Sequence, residues 1–339
     1  MKIVSAIIAL LLVCSFCTRA QDSRYLVEFR DKKGTAFTLA NPSAYLSAKA
    51  ITRRTVQQIP IDSTDLPISS AYFDSIRLVP NVTIINKSNW LNQVAIKTTS
   101  QAALTKINSF AFVKSVNTLG AKFIPAAVKP VEKFERIEKR VQSPSLKSLA
   151  NIYNYGASLN QIHIHNGEYL HNLQFNGRDM VIAVLDAGFS GYKTNKAFDS
   201  LRLQNRILGE FDFVKNEISV NEDDAHGTYC LSILTANRSG LLVGSAPNAS
   251  FYLYRTEDSF SEYPIEEQNW VAGAERADSA GADMISSSLG YSDFDNPALN
   301  HSYLQRNGNF SVVTRGADLA ARKGMIVMNS AGNSGAEAG

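Results

Sequence analysis

Three polar residues in the second half of the sequence stand where enzymes often place catalytic groups. Asp186 follows the apolar run 180–185 and begins the sequence Asp-Ala-Gly, and His226 begins the sequence His-Gly-Thr ahead of small and apolar residues. Asn333 ends the sequence Ala-Gly-Asn after another apolar run. An imidazole near a helix start suits a general base, and a side-chain amide at a strand end can donate to an oxyanion. Together they mark a candidate active site.

Each of the three also has an ordinary structural explanation when it is taken alone. Asp186 could start a turn after a strand, and Asn333 could belong to a Gly-Asn-Ser-Gly turn. His226 could be a surface histidine near a helix N-cap. These alternatives stay open while the residues are considered one at a time.

His226 differs from the other histidines in its setting. It lies where a helix is expected to begin, and the helix dipole is expected to lower its pKa. The remaining histidines, at positions 163, 165, 171 and 301, show no comparable setting. The pair His163-x-His165 has no cysteine or carboxylate cluster to complete a metal site, so no metal site is predicted.

The segments around these residues alternate between strand and helix. Apolar runs predict strands at 180–185, 251–255, 283–287 and 325–330, and helical periodicity predicts helices at 227–236, 266–280 and 310–323. In the predicted helix 266–280, one face carries Trp270, Ala274 and Ala277. Continuous apolar strands that alternate with helices predict a parallel sheet covered on both faces, with chemistry at the carboxyl ends of its strands.

The first part of the sequence has a different pattern. It predicts a strand at 25–30, a helix at 44–59, strands at 82–85 and 92–96, a helix at 101–110 and a strand at 112–117. This is a ferredoxin-like order. Prolines and basic residues dominate 125–149, which therefore reads as an exposed linker that proteases could cut.

The N-terminus has the layout of a secretory signal peptide over residues 1–20. Lys2 precedes the apolar run 3–16, and Thr18 and Ala20 provide small residues at the expected cleavage site. The run is too short to span a bilayer comfortably, so we expect an exported protein that is not held in a membrane once the signal is removed. Two of the three cysteines lie in this segment, which leaves Cys230 without an intrachain disulfide partner.

The composition is that of an ordinary globular protein. Of 339 residues, 45% are hydrophobic and 19% are charged, and the formal net charge is +3. Because this charge is close to neutral, it favours neither a nucleic acid nor an anionic membrane as a partner.

In their order along the chain, these motifs resemble the subtilisin-like serine proteases, the subtilases. Tyr155-Gly156 resembles the start of the mature enzyme in that family, Gly-Ser-Ala-Pro at 244–247 resembles the turn after the histidine helix, and Ser-Ser-Leu-Gly at 287–290 resembles the substrate-binding strand. The resemblance covers residues 153–335.

The resemblance implies a role for each site residue. Asp186 would orient the imidazole of His226, His226 would accept the proton of a serine hydroxyl, and the amide of Asn333 would stabilise the oxyanion. The residues expected to flank a polypeptide substrate are Ser288, Leu289, Gly290, Ala331 and Gly332. No cofactor is expected. Calcium sites occur in the family, but the loop 237–243 offers few carboxylates, so none is predicted.

The resemblance also implies a division of the chain. Residues 1–20 would be the signal peptide, 21–124 a propeptide that inhibits the enzyme and assists its folding, 125–150 a linker cut during maturation, and 151–339 the N-terminal portion of the peptidase domain. The expected fold class is α/β, with a parallel-sheet subtilisin-like catalytic domain preceded by a small α+β ferredoxin-like domain.

Two departures from the family pattern affect the expected activity. Ala187 stands where the family usually has a Thr or Ser that supports the aspartate. The Gly-Thr-Ser-x-Ala sequence around the nucleophile is missing, so the serine is expected beyond residue 339 and the sequence as given is expected to be inactive. Chain order argues against Ser334 as the nucleophile. The alternative is a binding protein on a subtilase-like scaffold that has lost catalysis, for which Ala187 is the one positive indication.

Overall fold

The structure is a computed structural model that describes residues 22–122 and 151–333. We refer to these ranges as the N-terminal unit and the C-terminal unit. The predicted signal peptide at 1–20, the predicted linker at 125–150 and Ser334 lie outside the described residues. Within the two units, no helix is both long enough and apolar enough to cross a bilayer.

The N-terminal unit is an antiparallel sheet covered by helices. Its strands are β1 Asp22–Phe29, β2 Thr83–Ser88, β3 Gln93–Lys97 and β4 Val113–Lys122, and its helices are α1 Ala48–Val56, α2 Ser70–Arg77 and α3 Gln101–Asn108. The strands pair in the order β2-β3-β1-β4. The predicted ferredoxin-like order is confirmed.

Two details of this unit differ from the sequence expectation. The helix predicted at 44–59 is interrupted, because Pro42–Ala44 forms a short 3-10 helix and α1 begins only after Ser47. The Ser47 hydroxyl caps α1 by accepting a hydrogen bond from the Ala50 amide at 3.2 Å. Helix α2 was not predicted, since a short helix with one fully buried residue, Ile76, leaves little periodicity to detect.

The C-terminal unit is built on a parallel sheet. Its strands are β5 Val181–Asp186, β6 Ile207–Asp212, β9 Ser250–Arg255, β10 Met284–Ser287 and β11 Ile326–Asn329, beside the short hairpin β7 Asn237–Arg238 and β8 Leu242–Val243. The strands of the sheet lie in the order β11-β10-β5-β9-β6. Its helices are α4 Leu159–His163, α5 Gly167–Asn172, α6 Asp199–Leu203, α7 His226–Thr235, α8 Ile265–Ala280 and α9 Val312–Arg322. The predicted parallel sheet is confirmed, and β6 is a strand that the sequence analysis missed.

Helices cover both faces of this sheet. Side chains of α8 and α9 pack on one face, where Trp270 and Ala320 are buried with Leu185 of β5. Leu231 of α7 packs on the other face with Val184. Every residue of β5 is buried, as expected for the central strand of a sheet covered on both sides.

Helix α8 is buried on two sides, because the sheet of the N-terminal unit covers the side that faces away from the parallel sheet. Gln93 donates from its side-chain amide to Gln268 at 2.7 Å. The backbone amides of Asn89 and Trp90 donate to Glu275 at 2.7 and 3.1 Å. The sequence pattern predicts one buried face of α8, whereas the structure buries its polar face as well.

A buried group of charged side chains also joins the two units. Asp278 of α8 accepts hydrogen bonds from Arg53 and Arg54 of α1, with Arg54 at 2.7 Å. Asp65 lies 3.2 Å from Arg54 and 2.6 Å from Lys323, which follows α9. All five side chains are at most 4% exposed, so each charge depends on its partners for compensation.

The substitution Asp278→Asn is expected to lower the free energy of unfolding by about 3–5 kcal/mol, because it removes the main counter-charge of two buried guanidinium groups. Urea-induced unfolding of the whole chain measures this loss. Asp74→Asn is a matched control, since Asp74 and Arg77 pair on the surface with side chains 49% and 56% exposed. The control should lose less than about 1 kcal/mol. Equal losses in the two variants would contradict the assignment.

Candidate active site

Asp186 ends the central strand of the parallel sheet and is fully buried. Its backbone carbonyl accepts a hydrogen bond from the Thr256 amide at 2.9 Å, which ties the end of β5 to the end of β9. Its Oδ1 atom accepts a hydrogen bond from the Ala187 amide at 2.8 Å. The carboxylate is therefore held in one orientation at the carboxyl edge of the sheet.

His226 is the first residue of α7 and lies against Asp186. Its Nδ1 atom is 2.7 Å from Asp186 Oδ1, although the two residues are 40 positions apart in the sequence. Its backbone amide donates to Asp224 Oδ1 at 2.7 Å, which holds the start of the helix. The side chain is 22% exposed, so the ring is reachable from solvent while its partner is not.

Two glycines allow this contact. A Cβ atom on Gly227 would lie 2.5 Å from the Gly188 carbonyl oxygen and 2.9 Å from Asp186 Cβ. A Cβ atom on Gly188, where φ is +150°, would lie 2.8 Å from the Asp224 backbone. The Asp-x-Gly and His-Gly sequences therefore carry glycine because the loop after β5 and the start of α7 touch each other there.

The second carboxylate oxygen of Asp186 has no such support. Among the described residues, Oδ2 is buried and has no hydrogen-bond partner. Ala187, at the position where the resemblance implies Thr or Ser, carries a methyl group that cannot donate. A buried carboxylate oxygen without a donor costs free energy, so the aspartate depends more strongly on its bond to His226.

The pKa of His226 is raised, and the expectation of a lowered pKa was wrong. Burial disfavours the charged ring and by itself would lower the pKa, but the hydrogen bond and negative charge of Asp186 more than offset that effect, together with a smaller contribution from Cys230 in the same direction.

Cys230 lies one helical turn after His226, and no sequence motif had marked it as a site residue. Its sulfur is 3.8 Å from His226 Nδ1. Asp186, His226 and Cys230 each offer a ligand atom, and these atoms lie within 4.8 Å of one another. Thiolate and imidazole are ligands for thiophilic cations. A cation bound there would occupy the ring nitrogen that contacts Asp186, so this donor set fits an inhibitory ion better than a cofactor.

A second group of possible ligands lies between the end of β9 and the start of α8. Glu257, Glu262 and Glu266 place carboxylate oxygens within 4.8 Å of one another. Protein donors reach two of them, since Tyr291 donates to Glu257 at 2.9 Å and the Tyr263 amide donates to Glu266 at 2.9 Å. At least one oxygen of each of these two carboxylates is therefore already bound by the protein.

The residues predicted to flank a substrate follow neighbouring strands. Ser288, Leu289 and Gly290 follow β10, whereas Ala331, Gly332 and Asn333 follow β11. Two hydrogen bonds hold these segments together, from the Asn329 side chain to the Leu289 carbonyl at 2.9 Å and from the Ser330 amide to the Ser287 carbonyl at 3.0 Å.

The structure brings Asp186 and His226 into contact and places the other predicted site residues along the same edge. Because β10 pairs with β5, Ser288 follows the strand adjacent to Asp186. Asn333 is exposed and follows a strand two positions from β5. The roles carried over for Asn333 and for the substrate-flanking residues remain predictions.

Comparison with known proteins identifies both units. Residues 177–339 match the family model described as the subtilase family, and residues 24–133 match the model described as the peptidase S8 propeptide domain of Bacteroidota.

Two curated relatives have related sequences. Thermitase from Thermoactinomyces vulgaris is 30% identical over 164 residues, which cover 47% of this chain and 49% of thermitase. The minor extracellular protease Vpr from Bacillus subtilis (strain 168) is 27% identical over 175 residues, which cover 48% of this chain and 19% of Vpr. The chain thus spans about half of the first relative and less of the second.

Among solved structures, the epidermin leader peptide processing serine protease from Staphylococcus aureus has 15% identity and a TM-score of 0.49, covering 93% of this chain and 61% of that protein.

The two family models match separate ranges in the order propeptide domain, then subtilase domain. The chain therefore belongs to the subtilase family and carries a peptidase S8 propeptide domain ahead of its subtilase domain.

Proposed function

We propose that the protein is a secreted serine endopeptidase in which Asp186 and His226 activate a serine hydroxyl. The observation that carries this proposal is the 2.7 Å contact between His226 Nδ1 and Asp186 Oδ1 at the carboxyl edge of a parallel sheet. A buried carboxylate in contact with a solvent-accessible imidazole is the arrangement that a general base requires.

The mechanism follows from the position of the proton on the imidazole. With Asp186 accepting from Nδ1–H, the neutral ring presents Nε2 as the base. Nε2 would take the proton of the serine hydroxyl as its oxygen attacks the peptide carbonyl, and Asp186 would stabilise the imidazolium that forms. Nε2 would then return the proton to the leaving amine.

Asn333 and the strand-end segments would act on the substrate. The amide of Asn333 would donate to the oxyanion of the tetrahedral intermediate. The backbone of 288–290 and of 331–332 would pair with an extended polypeptide, which would add to the sheet edge as a further strand. The reaction as proposed needs no cofactor, and we assign no calcium site.

We also propose that the N-terminal unit acts as the protein's own inhibitor and folding aid until the segment 125–150 is cut. The extensive buried contacts with α8 support a partner that fits this surface specifically. Export is supported by the predicted signal peptide at 1–20 and by the relative Vpr, which is named as an extracellular protease.

Asp186→Asn is expected to lower kcat by roughly 10³–10⁴-fold in the full-length protein after the segment 125–150 has been cut, because an amide favours the wrong tautomer of His226. Hydrolysis of a peptide substrate and labelling by an active-site fluorophosphonate measure the effect. Asp199→Asn, at a surface position where the side chain is 52% exposed, is the control and should keep full activity. A cleaved wild-type protein that neither hydrolyses peptides nor takes the label would instead be a subtilase-like binding protein.

The raised pKa of His226 predicts two pH effects. The rate should rise with pH through a midpoint above about 6.5, the ordinary value for histidine, because only the neutral ring can act as a base. Protonated His226 stabilises the folded state below that ordinary value, and this stability is lost as pH rises through the raised pKa.

Asp186→Asn is the variant to compare with the wild type for these pH effects, since it removes the carboxylate that raises the pKa of His226. The imidazole signals of His226, followed by NMR, should titrate at a lower pH in the variant than in the wild type. The wild type should also lose more stability than the variant as pH rises through this range. Equal midpoints in the two proteins would refute the attribution to Asp186.

A further inference from the structure

Arg255 is a buried arginine beside the catalytic pair, and the sequence analysis did not consider it. It is the last residue of β9, and the strand register places it between Asp186 of β5 and Asp212 of β6. Its side chain is 1% exposed. A buried guanidinium must find acceptors for its donors, so its contacts show what it holds together.

The guanidinium of Arg255 links three segments at the carboxyl edge of the parallel sheet. Its Nε atom donates to the carbonyl of Ala187 at 2.9 Å, immediately after Asp186. Its Nη1 atom donates to Asp212 Oδ2 at 2.8 Å and lies 3.2 Å from Asp223 Oδ2. Asp223 belongs to the loop that leads into His226.

The partners of Arg255 are themselves fixed. Asp212 is fully buried, and its Oδ1 atom accepts from the Val214 and Lys215 amides at 2.7 and 2.9 Å. Asp223 Oδ1 accepts from the Lys215 side chain at 2.6 Å. The guanidinium therefore connects the loop after Asp186 to the loop before His226 through groups that have little freedom to move.

We propose that Arg255 is a positioning residue that sets the geometry of the Asp186–His226 contact. The planar fork of arginine can reach the Ala187 carbonyl and the two aspartates at once, whereas a lysine ammonium is a single point of charge. A buried ion pair adds little net stability over an apolar replacement, so we assign the group a role in conformation. The effect on catalysis rests on the proposed function, whereas the effect on the contact does not.

The first test measures the contact itself. The Nδ1 proton of His226, hydrogen-bonded to Asp186, gives a downfield NMR signal that reports on this bond. Arg255→Lys should shift or broaden the signal, because the two loops lose their common anchor. Arg206→Lys is the matched control, since Arg206 is a buried arginine at the opposite edge of the same strands, where it binds the Ala249 carbonyl and Gln204.

A second variant keeps the proposal testable if Arg255→Lys does not fold. Asp223→Asn keeps the size of the side chain and removes the charge that faces Arg255 and Lys215. It should change the same signal in the same direction by a smaller amount. An unchanged signal in both Arg255→Lys and Asp223→Asn overturns the proposal, as does an equal change in Arg206→Lys.

The second test uses the full-length protein after the segment 125–150 has been cut, and it separates kcat from KM. Arg255→Lys should lower kcat on the order of 10²-fold, the effect of a displacement of about 1 Å between catalytic groups, and leave KM almost unchanged. Equal losses of kcat in Arg255→Lys and Arg206→Lys would overturn the positioning role. A wild-type protein without activity would refute the proposed function, and the NMR comparison would still decide the role of Arg255.

Discussion

The hydrogen bond between Asp186 and His226 is the interaction on which the arrangement of residues at the carboxyl edge of the parallel sheet depends. It joins the end of the central strand to the start of α7, and it forms only because Gly188 and Gly227 allow their backbones to touch. The bond also sets the protonation chemistry, since it outweighs burial and raises the pKa of the imidazole. A single contact thus couples the packing of a helix on a sheet to the basicity of the group proposed to do the chemistry.

The two carboxylate oxygens of Asp186 differ in their hydrogen bonding. Asp186 Oδ1 takes part in two hydrogen bonds, whereas Oδ2 has no partner among the described residues, because Ala187 brings no hydroxyl group. Arg255 restrains this region through the backbone: it binds the backbone carbonyl of Ala187, the residue that follows Asp186. Functional sites often depart from complete hydrogen bonding, and here a buried guanidinium restrains the surrounding loops.

The contact between the two units explains the unusual composition of α8. Gln268, Glu275 and Asp278 would read as a solvated face, yet all three are buried against the N-terminal unit. Hydrogen bonds and ion pairs are directional, so a surface of this kind accepts one partner in one orientation.

The sequence alone determined most of the order of strands and helices, together with the parallel and ferredoxin-like sheets. It also placed Asp186 at a strand end and His226 at a helix start, because periodicity and turn chemistry act over a few residues. It missed α2 and β6, whose patterns are short or weak. Only the tertiary structure decided that His226 touches Asp186, that its pKa is raised, that α8 is buried twice and that Arg255 joins two loops. Those features depend on a strand order, β11-β10-β5-β9-β6, in which neighbours in space are distant along the chain, and no local pattern encodes such distances.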